Sequence, residues 1–382
     1  MLPDLLADLL GVQLFGYISF RMAAAGLTAF VLALLGGRHM IPWLRRRGVG
    51  EDVSKSDSAD LAAHAAKVGK GGTPTMGGSF MVGSLLLAVL LWARLDNVHV
   101  ILAIVLTAGL AAVGFVDDFH KLTDRASSGL SERGKLMGQS LIILAVLAAF
   151  IQYARTTGRA DLLALYPPFF KDHVLELGTL GLGGLCLWAA FEWVVIFTTS
   201  NAANLTDGLD GLAAGCMLIS GLALSIFCYV TGRPDWTHYL NLPHVAAASE
   251  MAVVGGALTG ACMGFLWFNA PPAQVFMGDS GSLPIGGLLA WMALVSKQEL
   301  VLPLIASVFV IDAGSSLVQR LYYKRTGGRR LFTMAPIHHG LELHGGIFRR
   351  GGTPWAEPTI VIRSWIVAAL CAMASLALMK VR

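Results

Sequence analysis

Charge is the scarcest property of this sequence. Asp, Glu, Lys and Arg make up 14% of its 382 residues, against about 25% in a typical soluble chain. That excludes an ordinary water-soluble globule. Cysteine is also sparse: Cys186, Cys216, Cys228, Cys262 and Cys371 each sit in an apolar stretch, and no two form a CxxC pair. This argues against a thiol metal site or redox pair and for small buried hydrophobes. No basic run is interleaved with aromatics, so nucleic acid is not an expected partner. The start, Met1-Leu2-Pro3-Asp4, carries no basic segment, and we expect no cleaved signal peptide.

Apolar residues fill the space that charge leaves. They account for 55% of the chain, and the mean hydropathy is +0.66. Runs near the roughly 20 residues a bilayer crossing needs recur throughout. They predict an all-α integral membrane protein, a single polytopic domain over 1–382. About ten transmembrane helices are expected, at 15–37, 76–94, 99–117, 135–153, 183–200, 211–230, 246–268, 282–296, 300–322 and 360–380. The run 282–296 is short for a crossing, and residues 1–14 fit the membrane interface. Ten crossings place alternate loops on opposite sides. One set of loops holds 18 Lys and Arg residues, including Arg45, Arg46, Lys70, Lys121, Lys135 and Arg330, and the other set, termini included, holds 8. The positive-inside rule makes the first set cytoplasmic and leaves both termini outside.

The few carboxylates then stand out by position. Asp117-Asp118 closes the third run. Asn201-Ala-Ala-Asn204-Leu-Thr-Asp207-Gly-Leu-Asp210-Gly211 joins the fifth to the sixth. Phe276-Met-Gly-Asp279-Ser precedes the eighth. All three fall on the expected cytoplasmic side, as do Lys70-Gly-Gly-Thr-Pro-Thr75 and Pro336-Ile-His338-His339. Ionisable groups at membrane depth are costly and are functional candidates. Adjacent helical carboxylates point about 100° apart, so Asp117 and Asp118 suit different parts, one binding a cation or acting as base while the other orients a partner. Solvated acids at a helix end are the plain alternative. Asn201, Asn204, Asp207 and Asp210 recur every third residue and would line one stripe if the backbone stayed helical. Gly208 and Gly211 favour a break instead. Such amides and acids suit a nucleobase or sugar, while capping of the next helix by Asp207 or Asp210 is the competing reading. Asp279 and Ser282 offer hard oxygen ligands for Mg²⁺ beside substrate phosphates. Asn269 and Phe276 flank them, and Phe276 can stack a base or simply pack. His338 and His339 lack the partners of a zinc site, which leaves phosphate contact or proton transfer. Lys70, Lys121 and Lys135 can neutralise phosphate or anchor the membrane face, and Gln319 can turn to the same cleft. Together the parts suggest Mg²⁺-assisted transfer between two phosphorylated substrates, one of them membrane-bound, in a cleft on the cytoplasmic face.

The motifs Gly72-Thr-Pro-Thr-Met-Gly-Gly78, Gly114-Phe-Val-Asp-Asp118, Asn201 to Gly211, Phe276 to Ser282 and Met334-Ala-Pro-Ile-His-His339, in this order, resemble the phospho-N-acetylmuramoyl-pentapeptide transferases. That family is a branch of the polyprenyl-phosphate N-acetylhexosamine-1-phosphate transferase superfamily. The resemblance runs from Phe15 to Arg382. It implies a ten-helix enzyme of the bacterial cytoplasmic (inner) membrane, usually a homodimer. That enzyme moves phospho-MurNAc-pentapeptide from UDP-MurNAc-pentapeptide to undecaprenyl phosphate, giving lipid I and UMP. The resemblance also implies Asp279 as the Mg²⁺ ligand, Asp117 and Asp118 as the essential acid pair, and His338 as a further catalytic group. Lys70, Thr75, Asn204, Asp207, Asp210, Asn269, Phe276, Ser282, Gln319 and His339 would contact the uridine and pyrophosphate, with Phe276 stacking the uracil, and Lys121 and Lys135 are expected beside them as substrate-binding cations. Two departures stand out. The family usually carries three consecutive histidines, whereas the third position here is Gly340, and 345–353 looks like a short insertion. The alternatives are a sister transferase using UDP-N-acetylglucosamine and, more remotely, a transporter. A transporter would place such groups at the bilayer centre rather than at helix ends.

Overall fold

The computed structural model describes residues 2–47, 72–123, 129–168, 170, 174–348 and 351–380. Lys70 and nearly all of the predicted 51–72 loop lie outside these residues. The described chain is helical: α1 (Leu2–Leu10), α2 (Ile18–Arg46), α3 (Gly78–Trp92), α4 (Val98–Thr123), α5 (Glu132–Thr156), α6 (Gly181–Thr206), α7 (Leu212–Thr231), α8 (Pro234–Leu240), α9 (Met251–Asn269), α10 (Asp279–Val295), α11 (Leu302–Ile305), α12 (Ser307–Arg325), α13 (Ile337–His344) and α14 (Glu357–Ala377). No strand forms among the described residues, although an isolated antiparallel bridge joins Leu165 to Leu175. Seven segments are long and apolar enough to cross a membrane: α2, α4 as far as Lys121, α5, α6, α7, α9 with the turn before it, and α14 with the turn after it. Helices α3 and α10 are apolar but shorter, at 15 and 17 residues. Each of the ten expected runs coincides with a helix, but the ninth, α12, is not among those long and apolar enough to cross.

Several boundaries moved, each for a local reason. Helix α2 runs past residue 37 to Arg46, so Arg38, Arg45 and Arg46 ride on a helical extension that Pro42 does not break. Helix α4 continues to Thr123, which puts Asp117 and Asp118 within its last two turns rather than at its final residues. The ninth run, expected to be continuous from 300, is broken at Ala306 between the one-turn α11 and α12.

Small residues set the packing. In α2 the buried positions are Arg21, Ala25, Ala29, Ala33, Gly37, Ile41 and Leu44, a stripe along one face. It meets α9, where a Cβ on Gly256, Gly260 or Gly264 would run into Met22, Gly26, or Phe30 and Ala33 respectively. Close backbone approach between small residues is how helices associate without a hydrophobic drive from water. At one end of this contact Arg21 holds Glu250 through two bonds of 2.5 and 2.9 Å, and Glu250 also accepts from the Arg94 nitrogen at 2.7 Å. Helix α10 is buried along its whole length, among α4, α6, α7 and α3. Its first turn is therefore held on every side, and that turn begins with Asp279.

Candidate active site

The site forms where helix ends gather at one end of the bundle. Residues 74–78 run alongside 276–277. The Phe276 nitrogen donates to the Pro74 carbonyl at 2.8 Å, and the Gly77 and Gly78 nitrogens donate to the Phe276 and Met277 carbonyls at 2.9 and 2.8 Å. Gly278 follows with φ +71°, and a Cβ there would meet an Asp118 oxygen at 2.6 Å and the Thr75 hydroxyl at 3.0 Å. Only glycine turns the chain this sharply without strain, and the turn starts α10 at Asp279. Across from it, Asp118 accepts from the Asp279 and Ser280 nitrogens at 3.2 and 3.0 Å. A carboxylate at a helix N-terminus satisfies orphan N–H groups and complements the dipole. Asp118 thus ties α4 to the start of α10.

Asp117, Asp118 and Asp279 are all buried, with ligand atoms within 4.8 Å of one another. Two lysines close this group. Lys121 lies 2.7 Å from Asp117 Oδ2 and 3.4 Å from Asp279 Oδ2. Lys135, in the first turn of α5, pairs closely with the same Asp279 oxygen and lies 3.8 Å from Asp117. Ser131 fixes that turn by accepting from the Gly134 nitrogen at 3.1 Å. The other Asp117 oxygen accepts from the Leu130 nitrogen at 2.8 Å. Asn204, near the end of α6, donates to Asp279 Oδ1 at 2.5 Å and to Ser282 at 2.8 Å. Three buried carboxyl groups facing two ammonium groups is a hard-oxygen donor set suited to a divalent cation once a phosphate draws the lysines away.

The other expected residues fall into three groups. The His338 and His339 rings lie 4.2 Å apart between centres, tilted at 60°, and both Nε2 atoms face Gly208, where a Cβ would lie 2.7 and 3.0 Å from them. Burial holds the His339 imidazole below its ordinary pKa, against the opposing pull of Glu342. Asp210, Asn269 and Gln319 are engaged with backbone. Asp210 accepts from Ala273 at 2.9 Å, Asn269 spans Gly211 and Val275 at 2.9 Å each, and Gln319 accepts from Leu331 and Phe332 at 3.0 Å. They brace the loops around these helix ends. Phe276 is half-buried beside Asp279, and Lys70 lies outside the described residues.

The every-third-residue stripe does not form as one face. Helix α6 ends at Thr206, and the chain turns through Asp207 to Gly211, which has φ +81° and N-caps α7 without a side-chain bond. Neither Asp207 nor Asp210 caps α7. Asn201 instead binds Gln139 at 2.8 Å.

The sequence reading passed over Asp312, Glu342 and Glu357. Asp312 lies 3.0 Å from His338 Nδ1, Glu342 lies 3.0 Å from His339 Nδ1, and Glu357 accepts from the Asp210 nitrogen at 2.7 Å. Asp312 did carry a signal: it is an acid inside an apolar run, the feature that singled out Asp117 and Asp118.

A many-helix membrane protein with a carboxylate and lysine cluster at converging helix ends is a known class, and residues 100–297 match glycosyl transferase family 4. Over nearly its whole length the chain also aligns with named enzymes. It is 44% identical over 372 residues, 97% of this chain and 96% of the relative, to a phospho-N-acetylmuramoyl-pentapeptide-transferase of Ruegeria pomeroyi. Enzymes of that name from Maricaulis maris and Desulfovibrio desulfuricans are 41% and 42% identical over 97% of this chain and 96% of their own length. The chain belongs to the phospho-N-acetylmuramoyl-pentapeptide-transferase family.

Proposed function

We propose that this chain transfers phospho-MurNAc-pentapeptide from UDP-MurNAc-pentapeptide to undecaprenyl phosphate, giving lipid I and UMP, as a Mg²⁺-dependent enzyme of the bacterial cytoplasmic membrane. The reading takes ten crossings, both termini outside and the cleft on the cytoplasmic face, in one polytopic domain that pairs as a homodimer. The observation that carries it is the meeting of Asp117, Asp118 and Asp279 with Lys121 and Lys135 at converging helix ends.

The reaction joins two anions. An oxygen of the lipid phosphate attacks the sugar-linked phosphorus of the UDP donor, a P–O bond forms, and the bond to UMP breaks. Repulsion between the phosphates is the chief obstacle, so positioning and charge neutralisation dominate. Lys121 and Lys135 swing from carboxylates to phosphate oxygens. Asp118 keeps both oxygens on the start of α10 and so places Asp279. Asp117 turns one oxygen toward the lysines and Asp279, which makes it the better placed of the pair to take the proton of a lipid monoanion. Asp279 would be the chief holder of Mg²⁺, which when bound would supply Lewis-acid stabilisation of the diphosphate. Thr75, Asn204, Asp207, Phe276, Ser282 and His339, with Lys70 from outside the described residues, receive the uridine diphosphate, while Asp210, Asn269 and Gln319 hold the loops around it.

The test is UMP release by purified protein with undecaprenyl phosphate and either UDP-MurNAc-pentapeptide or UDP-N-acetylglucosamine. Mg²⁺-dependent release with the first alone is expected. Release only with the second would transfer the assignment to the sister reaction. No release with either, and no effect of Asp279→Asn on any turnover, would remove the transferase reading.

A further inference from the structure

One buried acid at the cleft has no part in the chemistry above. Asp312 sits on α12, 2% exposed, in a helix whose neighbours in sequence are apolar. Its Oδ2 lies 3.0 Å from Nδ1 of His338, which comes from α13 and is 3% exposed. An ionised carboxylate only accepts, so the proton of this contact belongs to Nδ1. The opposite ring nitrogen, Nε2, is buried with no hydrogen-bond partner among the described residues and faces the space over Gly208. A buried polar atom left without a partner costs about 1–3 kcal/mol, so a site that keeps one aims it at a ligand. His339 repeats the arrangement: its Nδ1 lies 3.0 Å from Glu342, and its Nε2 faces the same space.

We infer that Asp312 is a positioning residue for the transferase reaction. It holds Nδ1–H of His338 on its carboxylate and fixes the ring so that Nε2 faces the diphosphate, where, protonated from solvent, it donates a hydrogen bond to a phosphate oxygen and keeps its proton. The inference rests on the transferase reading for its substrate, but the tautomer it assigns stands without turnover. Asp312 acts only through the imidazole. Removing its charge therefore has an effect only while His338 is present, and impairs the reacting complex more than substrate capture. A carboxylate that orients a histidine in a metal site is worth roughly 10–100-fold, and the same order is expected here.

Two experiments separate this role from simple support of the fold. The first is a kinetic cycle of Asp312→Asn, His338→Gln and the double variant, with Asp312→Glu as the conservative replacement. Asp312→Asn should lower kcat for UMP release roughly 10–100-fold with KM for the uridine substrate within about threefold. Asp312→Glu should recover part of the loss, and the double variant should be no slower than His338→Gln alone. A loss from Asp312→Asn that persists undiminished in the His338→Gln background overturns the inference, as does unchanged kcat with lowered thermal stability. The second is nitrogen-15 NMR of histidine-labelled protein in detergent, with the His338 signal assigned by its disappearance in His338→Gln. A protonated Nδ1 in the parent that shifts in Asp312→Asn supports the dyad, and an unshifted signal defeats it. Absence of UMP release from the parent would count against the transferase reading, and the NMR result would still decide the tautomer.

Discussion

Gly114 offers the sharpest test of how the site is built. It lies one turn before Asp118 on α4, against the first turn of α10. A Cβ there would stand 2.7 Å from the Ser280 nitrogen and nearer still to the Asp279 carbonyl. Both neighbours are backbone of a helix buried on all sides, so neither yields by rotating a side chain. Gly114→Ala must therefore part α4 from α10 by roughly 1 Å, an overpacking strain of about 1–3 kcal/mol. Asp117 and Asp118 ride on one of these helices and Asp279 on the other, so the displacement falls within the carboxylate group itself. Misplacement of about 1 Å at a reacting centre costs on the order of 100-fold in rate. The assay is Mg²⁺-dependent UMP release by purified parent and variant, with thermal unfolding in the same detergent. Gly83→Ala and Gly314→Ala serve as controls, since a Cβ at either meets nothing within 4 Å. Activity of Gly114→Ala within threefold of the controls would refute the claim that close approach of α4 and α10 sets the register of the acids.

Other consequences follow from contacts already described. Glu250→Ala leaves Arg21 buried without its partner and should destabilise the protein by about 3–5 kcal/mol, read as a lowered unfolding midpoint, with UMP release at low temperature preserved. Mg²⁺ should bind weakly to the free protein, where Lys121 and Lys135 occupy the acids, and more tightly with uridine diphosphate substrate present; calorimetry that finds equal affinity in both states would contradict this. Asn204→Ala removes the donor to Asp279 Oδ1 and should lower kcat at saturating substrate by roughly tenfold or more, of the order expected of a residue that holds a metal ligand. The His339 pKa is held below its ordinary value of 6.5 by burial, so the folded state resists a proton that the unfolded chain accepts. Its contribution to stability is thus complete above the ordinary pKa and is lost as pH falls below it; His339→Gln should flatten the decline in unfolding midpoint between about pH 7.5 and pH 5.5.

What could be read from the chain and what could not divide along a physical line. Apolar runs and the spacing of acids are local properties, and from them ten helices and the residues Asp117, Asp118 and Asp279 were legible. The breaks at Asp207–Gly211 and at Ala306 were harder, because helix-forming and helix-breaking residues coexist there and packing decides between them. The division of labour within the site depended on contacts between distant residues. Local pattern assigned Asp117 and Asp118 different parts without saying which took which, and the nitrogens of Asp279 and Ser280 lie on the Asp118 oxygens. Asn269, Asp210 and Gln319 had the composition of substrate ligands, and the amide of Asn269, Oδ2 of Asp210 and Oε1 of Gln319 also bond loop backbone, which no local pattern announced. Gly340 shows the same dependence. A side chain at that position would begin 2.8 Å from the Thr333 hydroxyl, and this hydroxyl is bonded to the Gly346 carbonyl at 2.6 Å, within the expected insertion. An imidazole at 340 would crowd the Thr333 hydroxyl and displace its bond to Gly346, so Gly340→His should lower the unfolding midpoint of the purified protein rather than raise UMP release.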